Sequence, residues 1–233
     1  MGSNKDSLMS NQDHVCDDKT SPESGTSRNP SSGPGHAQPA PLAPPPVTRK
    51  LDLACGQMPM EGFEGVDIFV AAQHVVNLQQ YPWPFADESV LELHCSHYIE
   101  HIPMENVAHQ GLGTGLALHK DALFAFFDEC YRILVPGGWI TLRWPANRSD
   151  RAFQDPTHRR FIPAETMAYL NQEWRRANRL DHYNVDCHFL GSCDPVIDQS
   201  LLLRADTVIQ QKIRHDWNIV IDFTAKLQKM PRL

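Results

Sequence analysis

Two carboxylates fall where an open sheet would present them to a ligand. Asp52 lies in Lys50-Leu51-Asp52-Leu53-Ala54-Cys55-Gly56-Gln57, an apolar run closed by a turn of small residues, and Asp67 ends Gly65-Val66-Asp67-Ile68. In open α/β sheets ligands bind beyond the carboxyl ends of the strands, where a carboxylate can accept hydrogen bonds from two vicinal ribose hydroxyls. A nicotinamide dinucleotide would use the same acid, but it needs a G-x-G-x-x-G turn to cradle its pyrophosphate. The turn here reads Ala54-Cys55-Gly56-Gln57-Met58-Pro59. A nucleoside ligand without phosphates fits that spacing better.

A second set of groups could move protons. His97, Glu100 and His101 follow the apolar run Val90 to Cys95, and Asp155-Pro156-Thr157-His158 comes later in the chain. Imidazoles and carboxylates on such loops are suited to general base work, although His97 and His101, four apart, could equally pack locally at a helix start. Cys95, His97 and His101 supply at most three zinc ligands, with no second pair nearby, so no metal is expected from this spacing. Gly111-Leu112-Gly113-Thr114-Gly115 lacks the preceding strand and the Gly-Lys-Ser/Thr of a phosphate loop. The 105–120 segment reads as a flexible insertion, with a lid as its functional alternative.

The elements that must position these groups follow from the apolar patterning. Strands are expected at Leu51–Ala54, Gly65–Phe69, His74–Leu78, Val90–Cys95, Trp139–Trp144, Val185–Leu190 and Trp217–Leu227. Helices are expected at Asp121–Leu134, stopped by Pro136-Gly137-Gly138, and at Pro163–Glu173 and Ala205–Arg214. Strands separated by helices or loops predict an α/β domain with a mostly parallel sheet. The stretch between Gly56 and Asp67 is too short for a full first helix.

Residues 1–46 hold eight prolines among Ser, Asn, Asp and Gly, and so read as a disordered Pro/Ser-rich tail ahead of a single domain at 47–233. The chain of 233 residues is 41% hydrophobic and 21% charged, the balance of a globular protein with a real core. No run approaches the roughly 18 apolar residues of a membrane span, so no membrane partner is expected. Six scattered cysteines without a C-x-x-C pair fit reduced thiols in a cytoplasm, the host cytoplasm if the chain is phage-encoded. A formal charge of −7 gives nucleic acid no general attraction.

Taken in order, the motifs carry a resemblance. Leu51-Asp52-Leu53-Ala54-Cys55-Gly56 and Gly65-Val66-Asp67-Ile68 resemble the first two signatures of class I S-adenosylmethionine-dependent methyltransferases. Asn77-Leu78, Tyr81-Pro82-Trp83-Pro84-Phe85, Cys95-Ser96-His97-Tyr98-Ile99-Glu100-His101 and Glu129 to Gly138 follow in that family's order. The chain looks most like small, uncharacterised methyltransferase-like proteins of phages and bacteria, which also carry an Asp-Pro-Thr-His segment. The resemblance implies a Rossmann-like three-layer sandwich with a mostly parallel seven-stranded sheet, and S-adenosylmethionine as cofactor.

It further implies that Asp52 lies near the methionyl ammonium and that the Ala54–Cys55–Gly56 backbone passes close to the cofactor. Asp67 takes the ribose hydroxyls, Ile68 packs on the adenine, and Asn77 and Leu78 address its edge. Cys95, Ser96 and His97 close the fourth strand beside the sulfonium. His97 is the first candidate for a group at the methyl, with His158 and Asp155 on the substrate-facing cap. Where Ala54 stands the family usually has Gly, and a non-positive φ would tolerate the extra methyl.

The acceptor is a small molecule or a nucleotide-like compound, the second suggested by Arg148, Arg151, Arg159, Arg160, Arg175, Arg176 and Arg179 among Trp144, Phe153, Phe161 and Trp174. Arginines paired to Glu165, Glu173 and Asp181 on a solvated face are the plainer reading of that cluster. Ala54, Met58 and Asn77 depart from the family pattern and sustain one alternative, a non-catalytic cofactor-binding scaffold acting through a protein partner.

Overall fold

The computed structural model describes residues 47–109 and 118–233. The expected tail at 1–46 and the Gly111–Gly115 run lie outside the described residues. Seven strands form one sheet: β1 (Lys50–Leu53), β2 (Glu64–Asp67), β3 (His74–Val75), β4 (Val90–Ser96), β7 (Leu134–Pro145), β8 (Phe189–Ile197) and β9 (Val220–Lys229). Their spatial order is β3-β2-β1-β4-β7-β9-β8. The first five are parallel, and β9 runs antiparallel to both β7 and β8. This is a Rossmann-like α/β sheet whose strand order reverses at β1, the point where such sheets open a crevice.

Alternation along the strands separates two faces. Leu51 and Leu53 of β1, Leu93 and Cys95 of β4, and Ile140, Leu142 and Trp144 of β7 are all buried. They share one core with α1 (Ala122–Ile133), which contributes Leu123, Phe126, Phe127, Cys130 and Ile133 at helical spacing. Asp121 starts that helix by accepting the Leu123 N–H at 2.8 Å. Burying Phe126 or Phe127 completely stabilises the fold by about 1.5–3 kcal/mol each.

The opposite face is polar. Lys50 pairs with Glu92 at 2.7 Å, Asp52 with His94 at 2.6 Å, and Arg143 with Asp222 at 2.6 Å. No helix links β1 to β2; instead the connecting loop folds back over this face. Its Met60 N–H donates to Asp52 at 2.7 Å, and Phe63 meets the His94 ring edge-on.

Several elements differ from the sequence expectation for identifiable reasons. Strand β3 stops at Val75 because, after the Val76 N–H bonds the Asp67 carbonyl, Asn77 turns its side chain back onto the Gln79 N–H. The expected strand at Val185–Leu190 begins only at Phe189. Before it, the Val185 and Cys187 carbonyls accept from Arg175 and the Asp186 and Cys187 N–H groups go to Asp128, which takes these four groups away from a ladder.

The expected helix at Pro163–Glu173 is a 3-10 segment, Ala164–Leu170, followed by α3 (Gln172–Ala177), because Asn171 caps the second piece through Trp174 N–H. Helix α1 ends at Ile133 before the Pro-Gly-Gly stop. Leu134 is already paired with Val90, and residues 135–138 form a bulge in β7. The described flanks of the 105–120 insertion are strands, β5 (Asn106–His109) and β6 (Leu118–Asp121), paired antiparallel. Two further helices, α2 (Arg151–Gln154) and α4 (Asp206–His215), complete the described elements with two short 3-10 turns.

Candidate functional site

Beyond the carboxyl ends of β1, β2 and β4 lies a cavity of about 320 Å³ lined by Ala54, Asp67, Ile68, Val76, Asn77, Leu78, Gln79, Tyr98 and His101. Five of these, Ala54, Asp67, Ile68, Asn77 and Leu78, are residues the sequence assigned to a cofactor. Asp67 organises the rim: its Oδ2 accepts the Gly56 N–H and its Oδ1 the Phe69 N–H, each at 2.8 Å. A carboxylate has about four lone-pair sites. Two are spent on fixing the carboxylate, and two remain for a pair of hydroxyls.

Ile68 is 70% exposed beside it, an aliphatic surface of the kind a flat ring covers. Leu78 is buried, and its carbonyl accepts from the Trp83 indole at 3.2 Å. Trp83 N–H in turn donates to Glu129 of α1 at 2.6 Å, so the cavity floor is tied to the core helix. Burial holds the Tyr98 phenol well above its ordinary pKa, and the group stays a neutral donor and acceptor at the cavity wall.

The other sequence-assigned residues stand around this cavity without lining it. Asp52 is buried, with one oxygen on Met60 N–H and the other on His94 Nδ1. Cys55 and Gly56 form the turn itself; burial, then Asp52 and Asp67, raise the Cys55 thiol pKa. Cys95 is buried in the core, and burial pushes its thiol well above the usual range. Ser96 ends β4. His97 follows with φ 55°, its N–H held by the Arg143 carbonyl at 2.8 Å and its Nδ1 3.3 Å from Glu100.

Ala54 has φ 55°, which corrects the expectation of a non-positive angle. Ala54 N–H continues the β1–β2 pairing onto the Val66 carbonyl at 2.7 Å, and the left-handed angle at Ala54 turns the next N–H, that of Cys55, toward the same carbonyl at 3.4 Å. For a residue with a Cβ this costs roughly 1–2 kcal/mol.

Beside His101, the loop after α2 brings Asp155 and His158 to the edge of the cavity. His158 packs edge-on against His101 with ring centroids 4.7 Å apart, and its Nε2 is 4.0 Å from Asp155 Oδ2. Thr157 bridges Asp155 and His101 through its hydroxyl. Val76, Gln79 and Tyr98 as lining residues, and Thr157 as a bridge, were not singled out from sequence. Tyr98 and Thr157 do sit inside the motifs quoted for the family resemblance, while Gln79 carries only the weak signal of an Asn two residues before it.

Most of the arginine cluster is engaged by the chain's own backbone, although only Arg175 is buried. Arg148, Arg159, Arg160 and Arg175 donate to backbone carbonyls, Arg176 to the Leu233 carbonyl, and Arg151 to Asp222. Partners for most of these guanidiniums are thus carbonyls and Asp222. Phe153 of α2 stacks at 4.4 Å on Phe161, which lies in the loop that bears His158, with Trp217 beside Phe153, and all three rings are exposed.

No protein-family model matches the chain, and no curated protein sequence does. Solved structures do match. A SAM-dependent methyltransferase from Archaeoglobus fulgidus superposes with a TM-score of 0.50 at 18% identity, over 78% of this chain and 86% of that one. A S-adenosylmethionine-dependent methyltransferase from Mesorhizobium loti gives 0.43 at 10% identity, over 79% and 93%. The first likeness shows that the chain shares the fold of that methyltransferase.

Proposed function

We propose that this chain binds S-adenosylmethionine in the Asp67 cavity and transfers its methyl group to an acceptor entering from the loop that bears His158. The observation that carries this reading is the Asp67 carboxylate, fixed by two backbone N–H groups at the tip of β2, with the exposed Ile68 beside it. Together they offer a clamp for a sugar diol and a seat for a base, and the turn between β1 and β2 has no pyrophosphate cradle.

Methyl transfer from a sulfonium is an in-line displacement, and the protein's chief work is alignment of acceptor, methyl and sulfur. The acceptor lone pair forms the new bond to carbon while the carbon–sulfur pair returns to sulfur and cancels its charge. Where the acceptor carries a proton, His97 is the group we assign to take it. Its backbone is locked in a left-handed conformation, which such sites often hold at the cost of local strain. His158 and Asp155 serve the acceptor side. The exposed Phe153, Phe161 and Trp217 rings favour an acceptor with a flat ring, such as a nucleobase.

A cytoplasmic location is part of this reading and rests on the scattered cysteines of the sequence; the described cysteines are free, and no described helix is long and apolar enough to cross a membrane. Calorimetric titration with S-adenosylhomocysteine and with NADH tests the cofactor assignment. Binding of the first and silence toward the second is the expected result, and the reverse overturns it. Release of S-adenosylhomocysteine from S-adenosylmethionine over a panel of nucleosides and small hydroxylated or amino compounds then separates an enzyme from a scaffold, which would bind without turnover.

A further inference from the structure

Three side chains converge at the acceptor edge of the cavity in a way the cofactor does not require. Glu100, His101 and His158 each offer one ligand atom, and these three atoms all lie within 4.8 Å of one another. Glu100 and His101 belong to the 3-10 turn Ile99–His101 after β4, and His158 to the loop after α2. The two segments are fastened together, since the Arg159 and Arg160 N–H groups both donate to the Glu100 carbonyl, at 2.8 and 3.0 Å.

Glu100 is the anomaly. It is 2% exposed, yet neither carboxylate oxygen accepts a hydrogen bond; His97 Nδ1 stands 3.3 Å from Oε1 without making one. A desolvated carboxylate with no donor opposes folding unless a positive charge compensates it.

The two histidines are set up to supply lone pairs. The Ala152 carbonyl can only accept, so His158 Nδ1 carries the proton of their 2.8 Å bond and Nε2 is left bare. The Asp155 carboxylate likewise accepts the Thr157 hydroxyl at 2.7 Å; the Thr157 oxygen then accepts from His101 Nδ1 at 3.0 Å, which leaves His101 Nε2 bare as well. A carbonyl behind one imidazole and a hydroxyl–carboxylate relay behind the other are the supports that orient metal-bound histidines and raise their basicity.

The geometry points to a divalent-cation site formed by the buried Glu100 carboxylate and the imidazoles of His101 and His158. Two neutral nitrogens and one carboxylate suit zinc or another first-row divalent ion, and a set of only three protein ligands leaves positions open. It shares only His101 with the Cys95, His97, His101 spacing weighed from sequence, and it contains no thiolate.

His101 also lines the candidate cofactor cavity, so the site adjoins the space beyond that cavity. An oxygen-bearing acceptor would complete the shell there, and the ion would lower the pKa of a bound hydroxyl. That role rests on the methyltransferase reading, whereas the cation site itself does not.

Cobalt(II) titration of the full chain, followed by visible absorption and calorimetry, tests the site. One ion per chain should bind with ligand-field bands and without thiolate-to-cobalt charge-transfer absorption, and zinc should displace it. Glu100→Gln and His158→Gln should each weaken binding at least about tenfold, and Thr157→Val, which removes only the support behind His101, by about tenfold. Far-UV circular dichroism of each variant reports folding, and S-adenosylhomocysteine affinity measured on the same samples reports the cofactor pocket separately. Should Glu100→Gln fail to fold, His158→Gln and Thr157→Val carry the test. No saturable binding, a thiolate signature, or binding unchanged in the folded variants would overturn the site, whatever the cofactor titration shows.

Discussion

The Asp67 carboxylate reaches back across the turn to the Gly56 N–H at 2.8 Å, so the tip of β2 and the end of β1 form one rigid corner. The residue proposed to clasp the ribose is therefore also the residue that shapes the turn beneath it.

Replacing this acid should weaken the cofactor. Hydrogen bonds to a charged group contribute about 1.5–3 kcal/mol each, so Asp67→Ala should lower S-adenosylhomocysteine affinity at least about tenfold by calorimetry. Asp67→Asn keeps an acceptor and should lie between the two. Unchanged affinity in a folded Asp67→Ala variant would place the cofactor elsewhere.

Ala54 offers the opposite kind of test. Its φ of 55° is a conformation glycine adopts freely, so Ala54→Gly should remove strain at some cost in unfolded-state entropy. We expect a net gain of about 0.5–1 kcal/mol in urea denaturation. A loss of stability would mean that the alanine methyl makes a contact worth more than the strain.

Gly65 should tolerate nothing larger. A Cβ there would stand 2.8 Å from Cys55 Sγ and 3.1 Å from Pro59 Cβ. Gly65→Ala should therefore destabilise by about 1–3 kcal/mol. Adding Cys55→Ala should recover part of that loss, because the two positions share one contact. Strictly additive effects would argue against the close approach.

His188 predicts a pH dependence of stability. Burial lowers its pKa below 6.5, and Arg175 and Arg176 add to this against the opposing pull of Glu173. Its Nδ1 accepts the Gln172 N–H at 3.1 Å, a bond that protonation of that nitrogen would destroy. Between the lowered folded value and 6.5, the unfolded chain holds a proton that the folded chain does not. Stability should thus decline as pH falls below about 6.5 and keep declining until the folded value is passed. The melting temperature of His188→Asn, which keeps an acceptor without titrating, should vary less with pH over this range.

The sheet and the cavity were legible because their signals are local: the apolar run that carries Asp52, the run that Asp67 closes and the Asn77-Leu78 pair lie at or just beyond strand ends, where topology dictates the neighbours. Elements that failed the pattern did so where side chains took over backbone groups, as Arg175 and Asp128 do before β8. The angle at Ala54 was hidden because it goes with two successive N–H groups, of Ala54 and Cys55, converging on the carbonyl of Val66 on another strand. The grouping of Glu100 with His158 was hidden for the same reason: it is created by Arg159 and Arg160 docking on a carbonyl, a long-range event with no trace in spacing.

The absence of a helix between β1 and β2 has a bearing on exchange. Beyond the rigid corner, residues 57–62 are fastened to the sheet chiefly by the bond from Met60 N–H to Asp52. Fraying of that short stretch frees one end of the crevice while the core helix and sheet remain intact. In the proposed reading this gives the spent cofactor a way out without any larger rearrangement, and amide deuteration should find this stretch exchanging well ahead of β1 and β4.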